Sequence, residues 1–126
     1  LEAYRAQMAA LISHQDADGS WHQVVDVPSS YRELTVTAMA ITAMARGIRL
    51  GWLDRVTYLP VIERGWNAVA ARVAPDGSVR DACASTAAGT TLVYYLERPV
   101  VNGVDDRAGG LVLLAAVEVA ALLPSR

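Results

Sequence analysis

The chain has 126 residues, 53% of them hydrophobic and 19% charged, and a net charge of −2 at pH 7. These values are typical of one globular domain or part of one, and they exclude a disordered chain and a basic nucleic-acid-binding protein. The single cysteine, Cys83, excludes an internal disulfide framework, and two histidines are too few to suggest a structural zinc site. The apolar run 111–123 has 13 residues and contains Glu118, so no membrane span is expected.

Hydrophobic periodicity predicts four helices that alternate in character. The first is amphipathic, as is the third, at about residues 57–73, where Pro60 is expected in the first turn. The second, about 31–50, and the fourth, about 108–123, are apolar or small on nearly every side, which predicts burial on every side. The order is therefore outer, inner, outer, inner. The apolar face of the first helix consists of Leu1, Tyr4, Met8, Leu11 and Ile12.

Local signals mark the starts of the inner helices. Ser30 and Glu33 have the S-x-x-E spacing of a capping box, and Asp105 and Asp106 complement the amino end of the fourth helix. Between 79 and 101, β-branched and aromatic residues predict a short extended segment that forms a hairpin with the part near residue 79.

The two outer helices are each followed by a turn with the core D-G-S. The glycines of these turns, Gly19 and Gly77, lie 58 positions apart. Two helices per roughly 60 residues suit an α/α toroid or a helical solenoid, with units at about 1–52 and 53–126. Two units cannot close a ring, and a ring of six hairpins needs about three times this chain.

The first of these turns, QDADGSW at 15–21, allows several interpretations. A calcium loop needs more ligands and a closing glutamate, which are absent here. In a plain turn, Asp18 and Gly19 supply the positive φ and Trp21 packs on the core. The stretch also fits the Q-x(2–5)-G-x-W repeat of class II terpene cyclases, although their D-x-D-D acid motif is absent from this sequence.

Five segments in order carry a stronger resemblance. They are QDADGSWHQVVDVP, SYRELTVTAMAITAMARGIRLGWLD, PDGSVRDAC, YYLERPVV and DDRAGGLVLLAAVEVA. The chain resembles the unsaturated uronyl hydrolases, glycoside hydrolase families 105 and 88. The resemblance implies an all-α fold, a partial (α/α)6 barrel with about two of six helical hairpins and a short β-like segment near 79–101. It implies that residues 1–126 are the carboxy-terminal fragment of one toroid catalytic domain.

Enzymes of this family remove a terminal unsaturated uronic acid from lyase-cut oligosaccharides. An aspartic acid, held protonated near neutral pH, protonates the vinyl ether, and water adds to the neighbouring carbon. The catalytic aspartates, the active-site histidine and the W-x-R-G-x-x-W segment of the family lie upstream of the part matched here. We therefore assign no catalytic residue, no metal and no cofactor, and expect the chain alone to be inactive.

The resemblance places a loop of the chain near the leaving sugar. Each candidate for contact has a structural alternative: core packing, a solvated turn, a bond back to the helix or a charged loop. Glu33 is expected to cap its helix rather than bind a ligand. The candidates for lining the cleft are Trp21, Gln23, Asp26, Thr35 and Arg107.

The expected partner is an unsaturated uronyl oligosaccharide, and the expected location is the cytoplasm, where imported oligosaccharides are finished. Neither nucleic acid nor membrane is expected as a partner. Two alternatives remain open: a fragment of a terpene-cyclase-like barrel, and a non-catalytic helical module that binds a partner as a stable monomer. A toroid fragment is instead expected to expose apolar helix faces and to self-associate.

Overall fold

A computed structural model describes residues 1–122, and the fold is mostly helical with two small antiparallel sheets. The prediction of an all-α fold with a short β-like segment near 79–101 is confirmed. Strand β1 pairs with β2, and β3 pairs with β4. The elements are α1 (Glu2–Ser13), β1 (Trp21–His22), β2 (Arg32–Glu33), α2 (Leu34–Arg49), α3 (Arg55–Ala70), β3 (Val79–Cys83), α4 (Leu92–Leu96), β4 (Val100–Gly103) and α5 (Asp106–Ala120).

Helix α2 lies at the centre of the fold. It packs most extensively against α3 and α5, and α1 and β3 lie at its borders. Its side chains Leu34, Ile41 and Met44 are fully buried, together with Ile62 and Val69 of α3. Burial of such side chains stabilises the fold by about 1.5–3 kcal/mol each. Within residues 1–122, no helix is long and apolar enough to cross a membrane.

The two D-G-S turns have the same backbone structure but different surroundings. The amide of Gly19 donates to the Asp16 carbonyl and that of Gly77 to the Ala74 carbonyl, both at 2.9 Å. Their φ angles are +93° and +85°, which glycine adopts without strain. A Cβ at Gly19 would collide with the backbone carbonyl of Arg64 in α3, whereas one at Gly77 would meet no described atom within 4 Å.

Two predicted boundaries are wrong. Helix α2 begins at Leu34 rather than residue 31, because Arg32 and Glu33 pair with β1 as a strand. Pro60 is not in a first turn, because α3 already begins at Arg55 and Pro60 lies within it. The predicted hairpin is present, because β4 pairs with β3, but the segment between these strands also contains a short helix, α4.

The prediction that both inner helices are buried on every side is also wrong. Met39 of α2 is 48% exposed, and Leu113, Leu114 and Val117 of α5 are 67%, 41% and 60% exposed. Periodicity shows that a face is apolar, but it does not show that another element of the same chain covers it. These faces are the exposed apolar flanks expected of a toroid fragment.

Candidate functional site

The candidate site is the rim formed where the two long connections, residues 14–33 and 71–105, meet beside the start of α2. Two contacts join the connections. The carboxylate of Glu33 accepts a hydrogen bond from the Cys83 amide at 2.8 Å, and Arg72 lies 3.2 Å from a carboxylate oxygen of Asp18. The polar residues of both connections therefore share one end of the inner helices.

Glu33 is a buried helix cap, which confirms the expectation that it caps its helix. Its carboxylate accepts from the amides of Thr35 and Val36, from the Thr35 hydroxyl, and from the Cys83 amide. A carboxylate that accepts this many hydrogen bonds stabilises the local structure. It anchors the start of α2 and fixes β3 beside it.

The predicted capping box is nevertheless wrong, because Glu33 itself is the cap residue and Ser30 plays no part in it. The hydroxyl of Ser30 donates to the Val27 carbonyl at 2.7 Å and accepts from the Val24 amide. It closes the tight loop between β1 and β2. The S-x-x-E spacing alone could not distinguish a serine that caps the helix from one that closes the preceding loop, since Ser30 hydrogen-bonds to backbone groups in either case.

Trp21 does not line a cleft, which corrects one predicted site residue. Its side chain is fully buried, and its indole N–H donates to the Leu11 carbonyl at 2.8 Å. Its backbone amide donates to the Thr37 hydroxyl at 3.0 Å. A residue enclosed in this way packs α1 against α2 and presents no ring face to a sugar.

The other four predicted contact residues are accessible. Gln23 is half-buried. Its backbone amide donates to the Tyr31 carbonyl, one residue pair beyond the β1–β2 pairing. Asp26 is exposed on the loop before α2. The half-buried Thr35 donates its hydroxyl to Glu33. Arg107, on the first turn of α5, is largely exposed and contacts Asp105 at 3.1 Å.

Three further polar side chains, Thr42, Tyr94 and Tyr95, have structural roles. Thr42 donates its hydroxyl to the Ala38 carbonyl of its own helix at 2.7 Å. Tyr94 and Tyr95 stack edge to face, with 5.1 Å between ring centroids. Their hydroxyls accept from backbone amides of the preceding loop, so both rings pack that loop.

Tyr31 is a rim residue that sequence reasoning missed. Its hydroxyl oxygen is buried, and no described atom satisfies it with good hydrogen-bond geometry. Burial raises the pKa of Tyr31 well above its ordinary value of 10, and the neighbouring Cys83 thiol raises it further. The phenol therefore stays neutral and can donate a proton in a hydrogen bond to an acceptor that reaches it.

The carboxylates of the QDADGSW turn are engaged by arginines rather than arranged around a metal. Asp16 pairs with Arg32, and Asp18 pairs with Arg72. The hydrogen bond from Arg32 lowers the pKa of Asp16. Burial alone would raise the pKa of Asp18, but hydrogen bonds from Ser20 and Arg72 lower it below its ordinary value. No group of three or more metal-binding side chains exists in the described part of the chain. The stretch is therefore a structural turn.

A second cluster lies at the opposite end of the inner helices. The buried carboxylate of Glu118 accepts from Arg46 at 2.6 Å and from Arg49 at 3.3 Å. Burial alone would raise the pKa of Glu118, but these hydrogen bonds lower it below its ordinary value. The sequence showed Glu118 only as a lone charge on an apolar helix, which is a signal for a buried ion pair.

Taken together, four carboxylates of the two clusters have structural partners. Those of Glu33 and Glu118 accept several hydrogen bonds, and those of Asp16 and Asp18 are paired with arginines. These contacts hold the two ends of the inner helices to the surrounding elements.

Comparison with solved structures places this fold among α/α toroid proteins. A protein from Salmonella enterica serovar Paratyphi A, described as a possible member of the GH105 family, superposes with a TM-score of 0.87 at 26% identity. It covers 94% of this chain, which corresponds to 31% of that protein. A similar protein from Klebsiella pneumoniae gives a TM-score of 0.81 at 26% identity over 93% of this chain and 30% of its own.

Among characterised sequences, the chain is similar to the unsaturated rhamnogalacturonyl hydrolase YesR of Bacillus subtilis. The two are 30% identical over 95 residues, which is 75% of this chain and 26% of YesR. The chain thus spans about a quarter of the length of that relative. The model of Glycosyl Hydrolase Family 88 matches residues 1–123. With nearly the whole chain matched and the fold in agreement, the chain belongs to glycosyl hydrolase family 88.

Proposed function

We propose that the chain forms part of a glycoside hydrolase that removes a terminal unsaturated uronic acid from lyase-generated oligosaccharides. The observation that carries the proposal is the family match over residues 1–123. The name of the B. subtilis relative supports the unsaturated uronyl substrate. Family membership also removes the reason for preferring a terpene-cyclase-like barrel.

In the proposed reaction, an acid donates a proton to C4 of the C4=C5 double bond, and water supplies a hydroxyl to C5. The resulting hemiketal opens and releases the neighbouring sugar, so the reaction consumes one water and the double bond. The described residues contribute the wall and rim at the start of α2 and α5. We propose that Gln23, Asp26 and Thr35 contact sugar hydroxyls and that Arg107 contacts a carboxylate.

The first test is the intact mass of the natural gene product, followed by an assay on an unsaturated disaccharide. We expect the 126-residue chain alone to leave the substrate's ultraviolet absorbance unchanged. A gene product about three times longer is expected to abolish that absorbance, because hydration destroys the conjugated double bond. A product of that length that folds but leaves the double bond intact would contradict the proposal.

Site variants then test the proposed contacts in the full-length product. Asp26→Asn and Gln23→Ala are expected to raise KM several-fold with little change in kcat, because both would bind substrate without entering the chemistry. The control is Glu63→Gln, an exposed change on α3. If the two site variants match this control, the rim loop does not contact the substrate.

The cytoplasmic location also stays a proposal, and cell fractionation with an antibody to the chain tests it.

A further inference from the structure

His22 joins two segments of the rim that are separated in the sequence. It lies on β1 and is 7% exposed. Its ring nitrogen Nδ1 lies 2.6 Å from the carbonyl oxygen of Ser30, near the end of the connection between β1 and β2. We call that connection, residues 23–31, the rim loop. The other ring nitrogen, Nε2, lies 3.3 Å from Oδ2 of Asp16, in the turn that precedes β1. A nearly buried ring therefore faces two oxygen atoms, one with each nitrogen.

The two oxygens can be satisfied together by only one proton state of the ring. A carbonyl and an ionised carboxylate accept hydrogen bonds and donate none, whereas a neutral imidazole carries one N–H group and one lone pair. In either neutral form, one ring nitrogen of His22 thus presents a lone pair to an oxygen. An imidazolium donates from both nitrogens. The bridge from Ser30 to Asp16 is therefore complete only when His22 carries its second proton.

The charged groups around His22 keep Asp16 an acceptor. The guanidinium of Arg32, opposite His22 in the β1–β2 pair, donates to the same Oδ2, and this bond lowers the pKa of Asp16. Asp16 is thus ionised throughout the range in which histidines titrate, about pH 5–8. Arg32 also lies 3.6 Å from Asp18, so two carboxylates share its charge. The exposed His14, just after α1, lines the same cavity as His22 and is a further titratable group beside the ring.

The rim loop carries two of the proposed sugar contacts, Gln23 and Asp26. Its ends are joined by the bond from the Gln23 amide to the Tyr31 carbonyl at 2.8 Å. Within the loop, the hydroxyl of Ser30 accepts from the Val24 amide at 3.1 Å. Because Ser30 is also the residue whose carbonyl faces the imidazole, the ring contacts the network that shapes the loop.

We propose that His22 is a positioning residue whose second proton fixes the rim loop for substrate binding. With both ring nitrogens protonated, His22 ties Ser30 to Asp16 and so holds the loop against the turn before β1. When the ring loses that proton, one of the two bonds is lost, and the loop is free to move away from the turn. The effect on substrate rests on the proposed function, in which Gln23 and Asp26 bind sugar hydroxyls. Substrate affinity is therefore expected to fall as the pH rises and His22 becomes neutral.

The state of the loop is measured first, without substrate, on the full-length gene product labelled with ¹⁵N-histidine. The ring-nitrogen chemical shifts report each proton, and the signal of His22 is the one that disappears in His22→Asn. Hydrogen exchange, corrected for the intrinsic effect of pH, gives the protection factors of the Gln23 and Val24 amides. We expect both to fall several-fold as the His22 signal passes from imidazolium to neutral imidazole. Unchanged protection through that transition, or a ring that is still neutral at about pH 5, would overturn the proposal.

The effect on substrate is then measured as KM and kcat at about pH 5.5 and about pH 8.5. We expect the KM of the unchanged enzyme to rise several-fold between the two. His22→Asn replaces Nδ1 by an amide donor but has no group at the position of Nε2 and cannot titrate. Its KM is expected to equal the higher value at both pH values. The matched control, His14→Asn, changes the exposed neighbouring histidine and is expected to keep the pH dependence of the unchanged enzyme. Far-UV circular dichroism confirms that both variants fold.

The result separates a positioning role from a merely structural one. A structural role would raise the KM of His22→Asn by the same factor at both pH values, and this result would overturn the proposal. A fall in protection with an unchanged KM would support the link between His22 and the loop and contradict the proposed contacts of Gln23 and Asp26. An enzyme that leaves the unsaturated disaccharide intact would contradict the proposed function, and the protection factors would still decide the role of His22.

Discussion

Replacing each D-G-S glycine by alanine separates backbone strain from packing. Gly19 and Gly77 have nearly the same positive φ, so Gly77→Ala measures the cost of an alanine in that conformation, about 1–2 kcal/mol. Gly19→Ala carries the same cost together with a collision against the Arg64 carbonyl. A backbone contact cannot be relieved by a rotamer change, so we add the cost of overpacking, about 1–3 kcal/mol.

The difference in unfolding free energy between the two variants is therefore expected to be about 2 kcal/mol. Urea unfolding followed by tryptophan fluorescence measures it, because Trp21 lies fully buried two residues from Gly19. With a urea m-value of about 1–3 kcal/mol/M, the midpoints should differ by roughly 1 M. The experiment is run at low micromolar concentration so that association contributes little. Equal losses in the two variants would refute the assignment of Gly19 as a packing position.

Three further predictions concern the buried polar contacts. Glu33→Gln is expected to lower the unfolding free energy by about 2 kcal/mol, since a neutral amide is a weaker cap and acceptor. Hydrogen exchange at the Cys83 amide is expected to become faster, and unchanged exchange there would contradict the hydrogen bond between Glu33 and Cys83. Glu118→Gln is expected to destabilise the fold above pH 4.5, because a lowered folded-state pKa gives stability that is present above the ordinary value and lost as the pH falls through the folded value. A difference from the unchanged chain that does not shrink as the pH falls below 4.5 would count against this. Trp21→Phe is expected to cost about 1–3 kcal/mol through the lost bond to the Leu11 carbonyl and a smaller ring, and in the full-length enzyme to leave KM unchanged.

Elements with a strong local signal could be predicted from the sequence. The four long helices follow from periodicity, and the two D-G-S turns follow from residue chemistry. The start of α2 could not be placed, because Glu33 takes part in a strand and reaches Cys83, 50 residues away. No pattern of neighbouring residues indicates a partner so far along the chain.

The candidate site was harder to predict than the fold. An aromatic residue beside a turn suits both a sugar platform and a core anchor, and only the burial of Trp21 distinguishes them. Tyr31 gave no signal, since its special character lies in a buried hydroxyl that has no hydrogen-bond partner among residues 1–122. The exposure of the apolar face of α5 could be found only from the structure, because the hydropathy of a face is the same whether or not another element covers it.

The bridge from Glu33 to Cys83 has a consequence for synthesis on the ribosome. At about 5–20 residues per second, the 50 residues between them take several seconds to make. During that interval the first unit emerges with a buried carboxylate lacking one of its donors. The cap of α2 is complete only when β3 arrives. Translation speed across this stretch therefore sets how long Glu33 lacks its Cys83 donor.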